Sequence, residues 1–225
     1  DSFNVAVGGN AGNAVTTGIS NTLIGGLAGD ALTDADFNVA VGIRALTTET
    51  VGSTSVAIGA SALQDQNMGT ATNAFNTAVG HAAGLSVTTG TNNTIVGGLA
   101  GDALTTGDQN VAVGTGALST DDVGKFSTAI GYAALNVQNY TTATNAYNVA
   151  VGHSAGIAVT TGVDNTFIGA LAGDGTDDGT ENVAVGKSAL SGNCGDDNVA
   201  VGKDCLEVTT GSNNTAVGMS AGKQV

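Results

Sequence analysis

Short apolar runs recur along the chain, with the alternation of small and β-branched residues that is typical of β-strands. The first run is "NVAVG" at residues 4–8, and near-copies such as "NTLIG", "NTAVG" and "STAIG" follow at regular intervals. Between the runs lie Gly, Asn, Asp, Thr and Ser, which are common turn residues. The pattern predicts short strands joined by turns. A helical interpretation is poor, because no apolar period of 3.6 residues is sustained and each glycine would cost about 1 kcal/mol inside a helix.

The glycine that ends each run, called here the signature glycine, divides the chain into thirteen units. Successive signature glycines are mostly 17 residues apart, with two spacings of 21 and two of 16. They are Gly8, Gly25, Gly42, Gly59, Gly80, Gly97, Gly114, Gly131, Gly152, Gly169, Gly186, Gly202 and Gly218. A unit this short cannot bury its own apolar side chains, so it must stack on its neighbours about 4.8 Å away. The sequence therefore predicts an all-β parallel β-solenoid, or β-roll, of about thirteen rungs.

A second, longer period groups the units in fours. Two residues before the signature glycine stands Ala, except at Leu23, Ile95 and Phe167, which are 72 residues apart. The phrase "GGLAGDAL" also occurs twice at this distance, from Gly25 and from Gly97. We therefore expect one repetitive domain over residues 1–225. Its modules are 4–75, 76–147 and a shortened 148–213, followed by a partial module at 214–225.

The two sides of each strand differ in a way that predicts self-association. Val5 and Val7 point to one side, whereas Asn4, Ala6 and Gly8 point to the other. No acidic residue lies within these runs, so both sides are suited to burial. A thin roll buries one side itself, and we expect the other to be covered in a homo-oligomer. An amide repeated in register can hydrogen-bond along the stack, which predicts a structural ladder of Asn4, Asn21, Asn38, Asn76, Asn93, Asn110, Asn148, Asn165, Asn182, Asn198 and Asn214.

The charge balance excludes several classes of partner. The formal net charge is −14, with five basic residues against 19 acidic ones. Nucleic-acid binding needs a basic face, and so does docking on anionic membranes. No apolar run approaches the roughly 18 residues needed to span a bilayer, so we expect no membrane insertion. The acidity is typical of a solvated surface.

The units resemble a known class of repeats. Phrases of the form NVAVGxxAL and NTxIGxxAG are similar to the trimeric β-roll repeats of phage tail fibres, which are related to those in the heads of trimeric autotransporter adhesins. The stretch "STSVAIGASAL" at residues 53–63 is most similar to the adhesin heads. The alternation of Ala-Leu and Ala-Gly is more similar to viral fibre shafts. The resemblance covers essentially the whole chain and implies a homotrimer of parallel β-rolls, each with one strand face turned to the three-fold axis.

The same resemblance implies a structural function rather than an enzymatic one. The chain would be a shaft or receptor-binding segment of a phage tail fibre or similar viral appendage, located in the virion, that mediates attachment to the host surface. Its partners would be further copies of itself, a host-surface glycan or protein receptor, and an adjoining fibre or baseplate protein. The alternative is the head of a bacterial trimeric adhesin, on the extracellular surface.

An ice-binding solenoid is a third interpretation. It is suggested by "VTTG", which begins at Val15, Val87, Val159 and Val208. Ice binding needs a flat threonine array on consecutive rungs, whereas most of these motifs are a module apart. This interpretation is therefore less favoured than either fibre.

Candidate chemistry is sparse, and we expect no catalytic site. His81 and His153 are equivalent positions one module apart, and a repeated rung does not bring a Ser-His-Asp triad together. Three copies of His81 could meet on a trimer axis and hold a metal. However, the same position elsewhere holds Lys187 and Lys203, which is typical of a solvent-facing column. The expectation is no metal at these histidines and no cofactor.

Two acidic groups and two cysteines leave further alternatives open. The acidic groups could collect Ca²⁺ through oxygen ligands, although solvated turn residues are the favoured interpretation. The cysteines could form a disulfide, but two free thiols are the simpler case, and Cys205 replaces a core alanine. The acidic residues are Asp30, Asp34 and Asp36 in one unit and Asp174, Asp177 and Asp178 in its counterpart.

The two 21-residue spacings predict the recognition surface. Four extra residues follow Leu63 in "QDQNMGTATNAF" and Leu135 in "NVQNYTTATNAY". Insertions in solenoid repeats form surface loops, often on the binding side. A tyrosine there can anchor a sugar or protein surface, or it can fold back over the edge of the roll. The candidate recognition residues are Gln66, Met68, Thr70, Gln138, Tyr140 and Thr142.

Overall fold

The computed structural model describes residues 2–223 and shows in them a parallel β-solenoid of thirteen rungs, confirming the predicted fold class. Each rung contributes one three-residue strand to a single parallel sheet, and two additional two-residue strands, β8 and β10, form a small second sheet. The strands are β1 Val5–Val7, β2 Thr22–Ile24, β3 Val39–Val41, β4 Val56–Ile58, β5 Thr77–Val79, β6 Thr94–Val96, β7 Val111–Val113, β8 Gly124–Lys125, β9 Thr128–Ile130, β10 Thr144–Asn145, β11 Val149–Val151, β12 Thr166–Ile168, β13 Val183–Val185, β14 Val199–Val201 and β15 Thr215–Val217.

The strands of the main sheet pair in chain order and in one register. The middle residue of each strand faces the middle residue of the next, as in Ala40 opposite Ala57 between β3 and β4. The pairing passes over the two 21-residue spacings without a shift, as β4 with β5 and β9 with β11 show. The four extra residues therefore do not enter the main sheet. In the second module they lead to the pairing of β8 with β10, and in the first to a single bridge between Ser53 and Asn73.

The signature glycine is fixed by backbone conformation and by the neighbouring rung. In all thirteen rungs its φ lies between +129° and +145°, a region essentially restricted to glycine. A Cβ placed on Gly97 would lie 2.6 Å from both the carbonyl carbon and the carbonyl oxygen of Gly114 in the next rung. The stack thus has no room for a side chain at this column.

At three further positions in each rung the backbone adopts the left-handed helical conformation. They lie five residues before and two and four residues after the signature glycine, with φ between +47° and +65°. In the fifth rung these are Phe75, Ala82 and Gly84. Residues other than glycine can adopt this conformation at a cost of about 1 kcal/mol. The stack therefore accepts varied side chains at these three columns.

The core is a narrow band of small residues. Alanines two residues before and three residues after the signature glycine are buried in the interior rungs, for example Ala40 and Ala45. Where the left-handed position four residues after the signature glycine is Leu, as at Leu46, that side chain fills the remaining space. Where it is glycine in the interior rungs, a larger strand residue of the same or the following rung does so. A Cβ on Gly29 would lie 2.8 Å from Leu23. Ile95 and Phe167 play the same part in the other modules, which accounts for the 72-residue period.

The strand asparagines form a buried ladder beside this core. The backbone N–H of Asn38 donates to Asn21 Oδ1 at 2.9 Å, and Asn38 Nδ2 donates to the Gly52 carbonyl at 3.0 Å. The same pair of bonds recurs at Asn93 and Asn110. Each amide thereby links its own rung to the turn of the next, and it satisfies backbone groups that are buried away from water.

Candidate functional site

The outward face of the main sheet is continuous, uncharged and apolar. It consists of two columns, Val or Thr at the first residue of each strand and Val or Ile at the third. In the interior rungs these side chains are half-buried to exposed; Ile24 and Ile168, for example, are 39% and 42% exposed. The middle residues point into the core instead. The predicted division of each strand into a buried small-residue side and a second apolar side is therefore present, and the second side faces solvent in the single chain.

Aromatic rings border this face at five of the thirteen rungs, in a column that carries polar or acidic residues at the others. The residues lie directly before the ladder position, where each strand begins, and they have the left-handed conformation described above. Phe37 is 57% exposed and Phe75 is 55% exposed, and the rings of Phe126 and Tyr147 stack with centroids 5.1 Å apart. Large rings held exposed in a conformation that costs energy indicate a surface that contacts something else. These aromatic residues are visible in the sequence, but their exposure follows from the geometry of the turn and could not be predicted from the repeat. The column contains Phe3, Phe37, Phe75, Phe126 and Tyr147.

Four of the six predicted recognition residues fold inward, which corrects their assignment as surface residues. Gln66 and Gln138 are fully buried, and Met68 and Tyr140 are 9% and 5% exposed. The four extra residues widen the rung, and these side chains fill the widened interior. Thr70 and Thr142 are exposed at the tips of the same segments.

In the first module, Gln66 is part of a buried polar network around Glu49. Glu49 is fully buried, and its Oε1 accepts from the backbone N–H groups of Thr50 and Gly52 at 3.0 and 2.7 Å. Its Oε2 accepts from Gln66 Nε2 at 3.0 Å and from the Met68 N–H at 3.3 Å. A buried carboxylate is stable only when it is hydrogen-bonded in this way.

The second module repeats the network around Asp121. Its Oδ1 accepts from the Gly124 N–H at 2.9 Å, and its Oδ2 accepts from Gln138 Nε2 at 2.6 Å. Gln138 also donates to Ser127 Oγ at 3.0 Å and accepts from Asn148 Nδ2 at 2.9 Å. Burial raises the pKa of Asp121, and the bonds from Gln138 and Gly124 act in the opposite direction.

Serine replaces asparagine in the ladder at these rungs to make room for the glutamines. The smaller side chains of Ser55 and Ser127 leave space for the amides of Gln66 and Gln138, which then contact the next asparagine of the ladder. The sequence contained this signal, because both serines occur at the rungs with 21-residue spacing. Its meaning depends on which side chains point inward, and that required the fold.

Tyr140 folds back over the roll, the second of the two roles considered for it. Its hydroxyl donates to the Gly162 carbonyl at 2.8 Å and accepts from Asn148 Nδ2 at 3.1 Å. Burial raises the pKa of Tyr140 above its usual range. The ring is thus a structural cover for the network, and in this conformation it does not present a surface for a receptor.

The predicted metal ligands do not converge within the described chain. His81 and His153 are exposed on different modules, and His153 stacks on Tyr132 with ring centroids 5.2 Å apart. Residues 2–223 contain no group of three or more His, Cys, Asp or Glu side chains arranged to hold a metal ion. A site shared by three copies of His81 stays a prediction about the oligomer.

Three of the six acidic residues considered for Ca²⁺ link successive rungs through their carboxylates. Asp34 Oδ1 accepts from the hydroxyls of Thr16 and Thr17 at 3.0 and 2.6 Å, which lowers the pKa of Asp34. Asp36 accepts from the Ile19 N–H at 2.8 Å, and Asp177 accepts from the Thr160 hydroxyl. Their carboxylates thus serve as side-chain caps between adjacent turns.

Both cysteines are buried free thiols. Cys205 occupies the position of a core alanine, and its Sγ lies 3.3 Å from the Ala216 carbonyl. Cys194 Sγ lies 3.3 Å from the Thr176 hydroxyl of the preceding rung. Each thiol therefore has a local partner within the stack.

No protein-family model matches the chain, and no curated protein matches it in sequence. Within residues 2–223 there is no helix long and apolar enough to cross a membrane. The functional argument therefore depends on the surfaces of the molecule itself.

Proposed function

We propose that the chain is a structural segment of a homotrimeric fibre, from a phage tail or a similar viral appendage, that mediates attachment to a host surface. The observation that carries the proposal is the outward sheet face, which presents Val, Thr and Ile without a charge over thirteen rungs. The role is non-enzymatic. The partners are two further copies of the chain, an adjoining fibre or baseplate protein, and a receptor on the host.

The size of the outward face supports burial against other chains. Thirteen rungs at about 4.8 Å give a face about 58 Å long and about 10 Å wide. The resulting area, on the order of 600 Å², is at the upper end of what monomeric proteins expose as one apolar patch. The exposed rings of Phe3, Phe37, Phe75 and Tyr147 beside it add apolar surface at their own rungs. Covering such a face removes a large area of apolar surface from water.

The regularity of the face favours copies of the same chain as the partner. Its side chains repeat at the strand spacing over the entire rod, with the same two columns in each rung. A surface that interdigitates with it along its length must repeat at the same spacing. Another copy, parallel and in register, has that property. Three parallel rods around one axis would each turn this face inward, as in the fibre repeats that the sequence resembles.

The oligomeric state tests the proposal. We expect the purified chain to have the mass of a trimer by light scattering. Val113→Lys places a charge at the third residue of β7, in the middle of the outward face, and we expect it to give monomers. The charge cannot be buried against two identical charges without a large electrostatic cost.

A matched charge away from the face is the control. Thr106 is exposed in the turn that precedes β7, so Thr106→Lys makes the same kind of change without touching the outward face. We expect this variant to remain trimeric. A wild-type chain that is monomeric, or a Val113→Lys variant that still forms trimers, would contradict the proposal.

The head of a bacterial trimeric adhesin remains the second candidate. It is supported by residues 53–63, whose phrase "STSVAIGASAL" is the part most similar to adhesin heads. That candidate requires the same trimeric arrangement, so light scattering does not separate the two. The adjoining sequence does: a baseplate-attachment or chaperone domain favours the virus, and a membrane anchor favours the bacterium.

A further inference from the structure

The second module contains a cavity that opens to solvent on the turns that follow the strands. Its volume is about 260 Å³, and it spans three consecutive rungs. Its lining residues follow the signature glycines, so they belong to different columns from the outward face of the sheet. The residues that matter for its chemistry are Leu99, Asp102, Gly116, Ser119, Tyr132 and Asn136.

Gly116 is the reason for the opening. It lies two residues after a signature glycine, and in the other twelve rungs this column carries a side chain. The equivalent residues of the first and third modules are Arg44 and Ser188, which have the same left-handed conformation. A Cβ on Gly116 would contact only Asn136 Nδ2, at 3.4 Å. Packing therefore does not require a glycine here, and its effect is to leave a gap in the surface.

Asp102 contributes a carboxylate to the lining of the cavity, and the Oδ1 of that carboxylate is itself buried. The carboxylate is half-buried, and its Oδ1 has no hydrogen-bond partner in the described part of the chain. Burial raises the pKa of Asp102. Asp30 and Asp174 share the unpartnered oxygen at the equivalent positions. Their modules, however, carry Arg44 and Ser188 where the second module has the gap, so Asp102 alone adjoins the cavity.

Tyr132 and Asn136 form the opposite wall. The Tyr132 ring is 58% exposed, and one of its faces stacks on His153 in the following rung. Its other face is therefore directed back along the stack, toward the gap at Gly116. Asn136 Nδ2 donates to the Gly116 carbonyl at 2.9 Å and to Ser119 Oγ at 2.7 Å. These bonds hold the wall in place through Nδ2 and leave the side-chain Oδ1 of Asn136 as the acceptor for a ligand.

We propose that this cavity binds one neutral sugar ring of a host-surface glycan. The C–H face of the sugar packs on Tyr132, and its hydroxyls donate to the carboxylate of Asp102 and the carbonyl of Asn136. An amphipathic ring beside an acceptor is the combination that a sugar needs. The volume is below the roughly 300–1,000 Å³ of sites for larger ligands, which fits a single ring.

The charge of the site selects against acidic sugars. The carboxylate of Asp102 carries no ion pair within residues 2–223, and the chain as a whole has a net charge of −14. A sialic or uronic acid would therefore be repelled from the cavity. The inference rests on the proposed function, since it names the class of receptor that the fibre would bind.

Binding of the 225-residue chain to an array of neutral and acidic glycans tests the inference. We expect binding to neutral glycans, confirmed in solution by titration calorimetry with the glycan that binds best. Gly116→Arg copies the first module, where Arg44 is at this position, and it fills the gap. Tyr132→Ala removes the packing surface. Each change should weaken binding at least about tenfold.

The first module supplies the control. Asp30→Asn changes the equivalent carboxylate where no cavity adjoins it, and it should leave glycan binding unchanged. Thermal unfolding checks that all variants are folded. Variants at Gly116 and Tyr132 that bind like the wild type, or binding of acidic glycans alone, would overturn the inference.

Light scattering on the same samples separates this inference from the proposed function. A trimer that binds no glycan would overturn the cavity as a sugar site and leave the fibre proposal in place. A monomer that binds neutral glycans, with loss at Gly116→Arg, would support the cavity and contradict the fibre.

Discussion

Adjacent glycines in this chain differ in whether the structure tolerates a side chain, as Gly97 and Gly98 show. Gly97 has a φ of +139°, and a Cβ there would lie 2.6 Å from the Gly114 carbonyl. Gly98 is outside the left-handed region, and a Cβ there would meet no atom within 4 Å. The residue type is the same, but the neighbouring rung makes one glycine obligatory and leaves the other replaceable.

These two positions give a prediction for stability. Gly97→Ala should lower the free energy of unfolding by at least about 2 kcal/mol, because it combines a strained φ with a steric clash against backbone. Gly98→Ala should change it by less than about 0.5 kcal/mol. Urea unfolding of the two variants measures the difference. Similar losses for both would show that the close approach of the glycine column does not limit the stack.

The 21-residue rungs show how an insertion becomes part of the interior. Each adds a glutamine that bridges a buried carboxylate and the asparagine ladder, and each has serine in the ladder to accommodate it. The two networks differ in the donors to the carboxylate oxygen that contacts the glutamine. Glu49 Oε2 accepts from both Gln66 Nε2 and the Met68 N–H, whereas Asp121 Oδ2 accepts from Gln138 Nε2.

This difference predicts unequal effects of the same substitution. Gln138→Leu should destabilise the chain by about 2–4 kcal/mol, because it leaves a buried carboxylate oxygen without a donor. Gln66→Leu should cost about 1–2 kcal/mol less, since the Met68 N–H remains on Glu49. Chemical unfolding at neutral pH measures both, and equal costs would contradict the assignment of donors.

The cost of Gln138→Leu should also depend on pH. The lost bond favours the ionised form of Asp121, so the variant raises further a pKa that burial already raises. A carboxyl group whose pKa is higher in the folded than in the unfolded state contributes stability that is fully present below pH about 4, the ordinary pKa. That stability is lost as the pH rises through the folded-state pKa. The difference from the wild type should therefore shrink as the pH falls toward 4. A difference that is constant with pH would exclude Asp121 as its cause.

Over its whole length the molecule is a stack in which each rung contacts its neighbours. Strand pairs in the main sheet join only successive rungs, and every pair has the same register. In such a solenoid the stability is close to a sum over rungs and their interfaces. Any segment that begins and ends at equivalent positions is therefore removable in principle.

Removal of one module tests that description. Deleting residues 76–147 joins Phe75 to Asn148, and the 153-residue product keeps the 21-residue spacing between Gly59 and Gly152. We expect a folded rod shorter by four rungs, about 19 Å, as measured by small-angle X-ray scattering. Deleting residues 68–147 instead leaves a spacing of 13 residues between Gly59 and Gly152, shorter than any rung of the chain, and should prevent stacking at the junction. Equal folding of both products would contradict the requirement for register.

The architecture could be predicted from the sequence because its signal is repeated thirteen times. The signature glycines fixed the number of rungs, and alternation in runs such as residues 4–8 fixed which side chains share a face. The 72-residue period was also visible, although its cause was not. Leu23 fills the space above Gly29, and that compensation appears only when the rungs are stacked.

The inward direction of the insertions was not predictable, because loop length does not state where a loop packs. The general behaviour of insertions predicts a surface position for Gln66 and Met68, and both are buried. The exposure of Phe37 and the gap at Gly116 likewise depend on left-handed turns whose positions are identical in every rung but whose residues vary.

The sequence by itself determined the solenoid, its period and its two-sided strands, since these follow from spacing and alternation along the chain. Only the tertiary structure decided which variable residues cover the roll, which join a buried polar network and which line the cavity. The physical reason is that these roles are set by contacts between residues about 17 positions apart in neighbouring rungs. A single asparagine or glycine acquires its function from what lies above and below it in the stack.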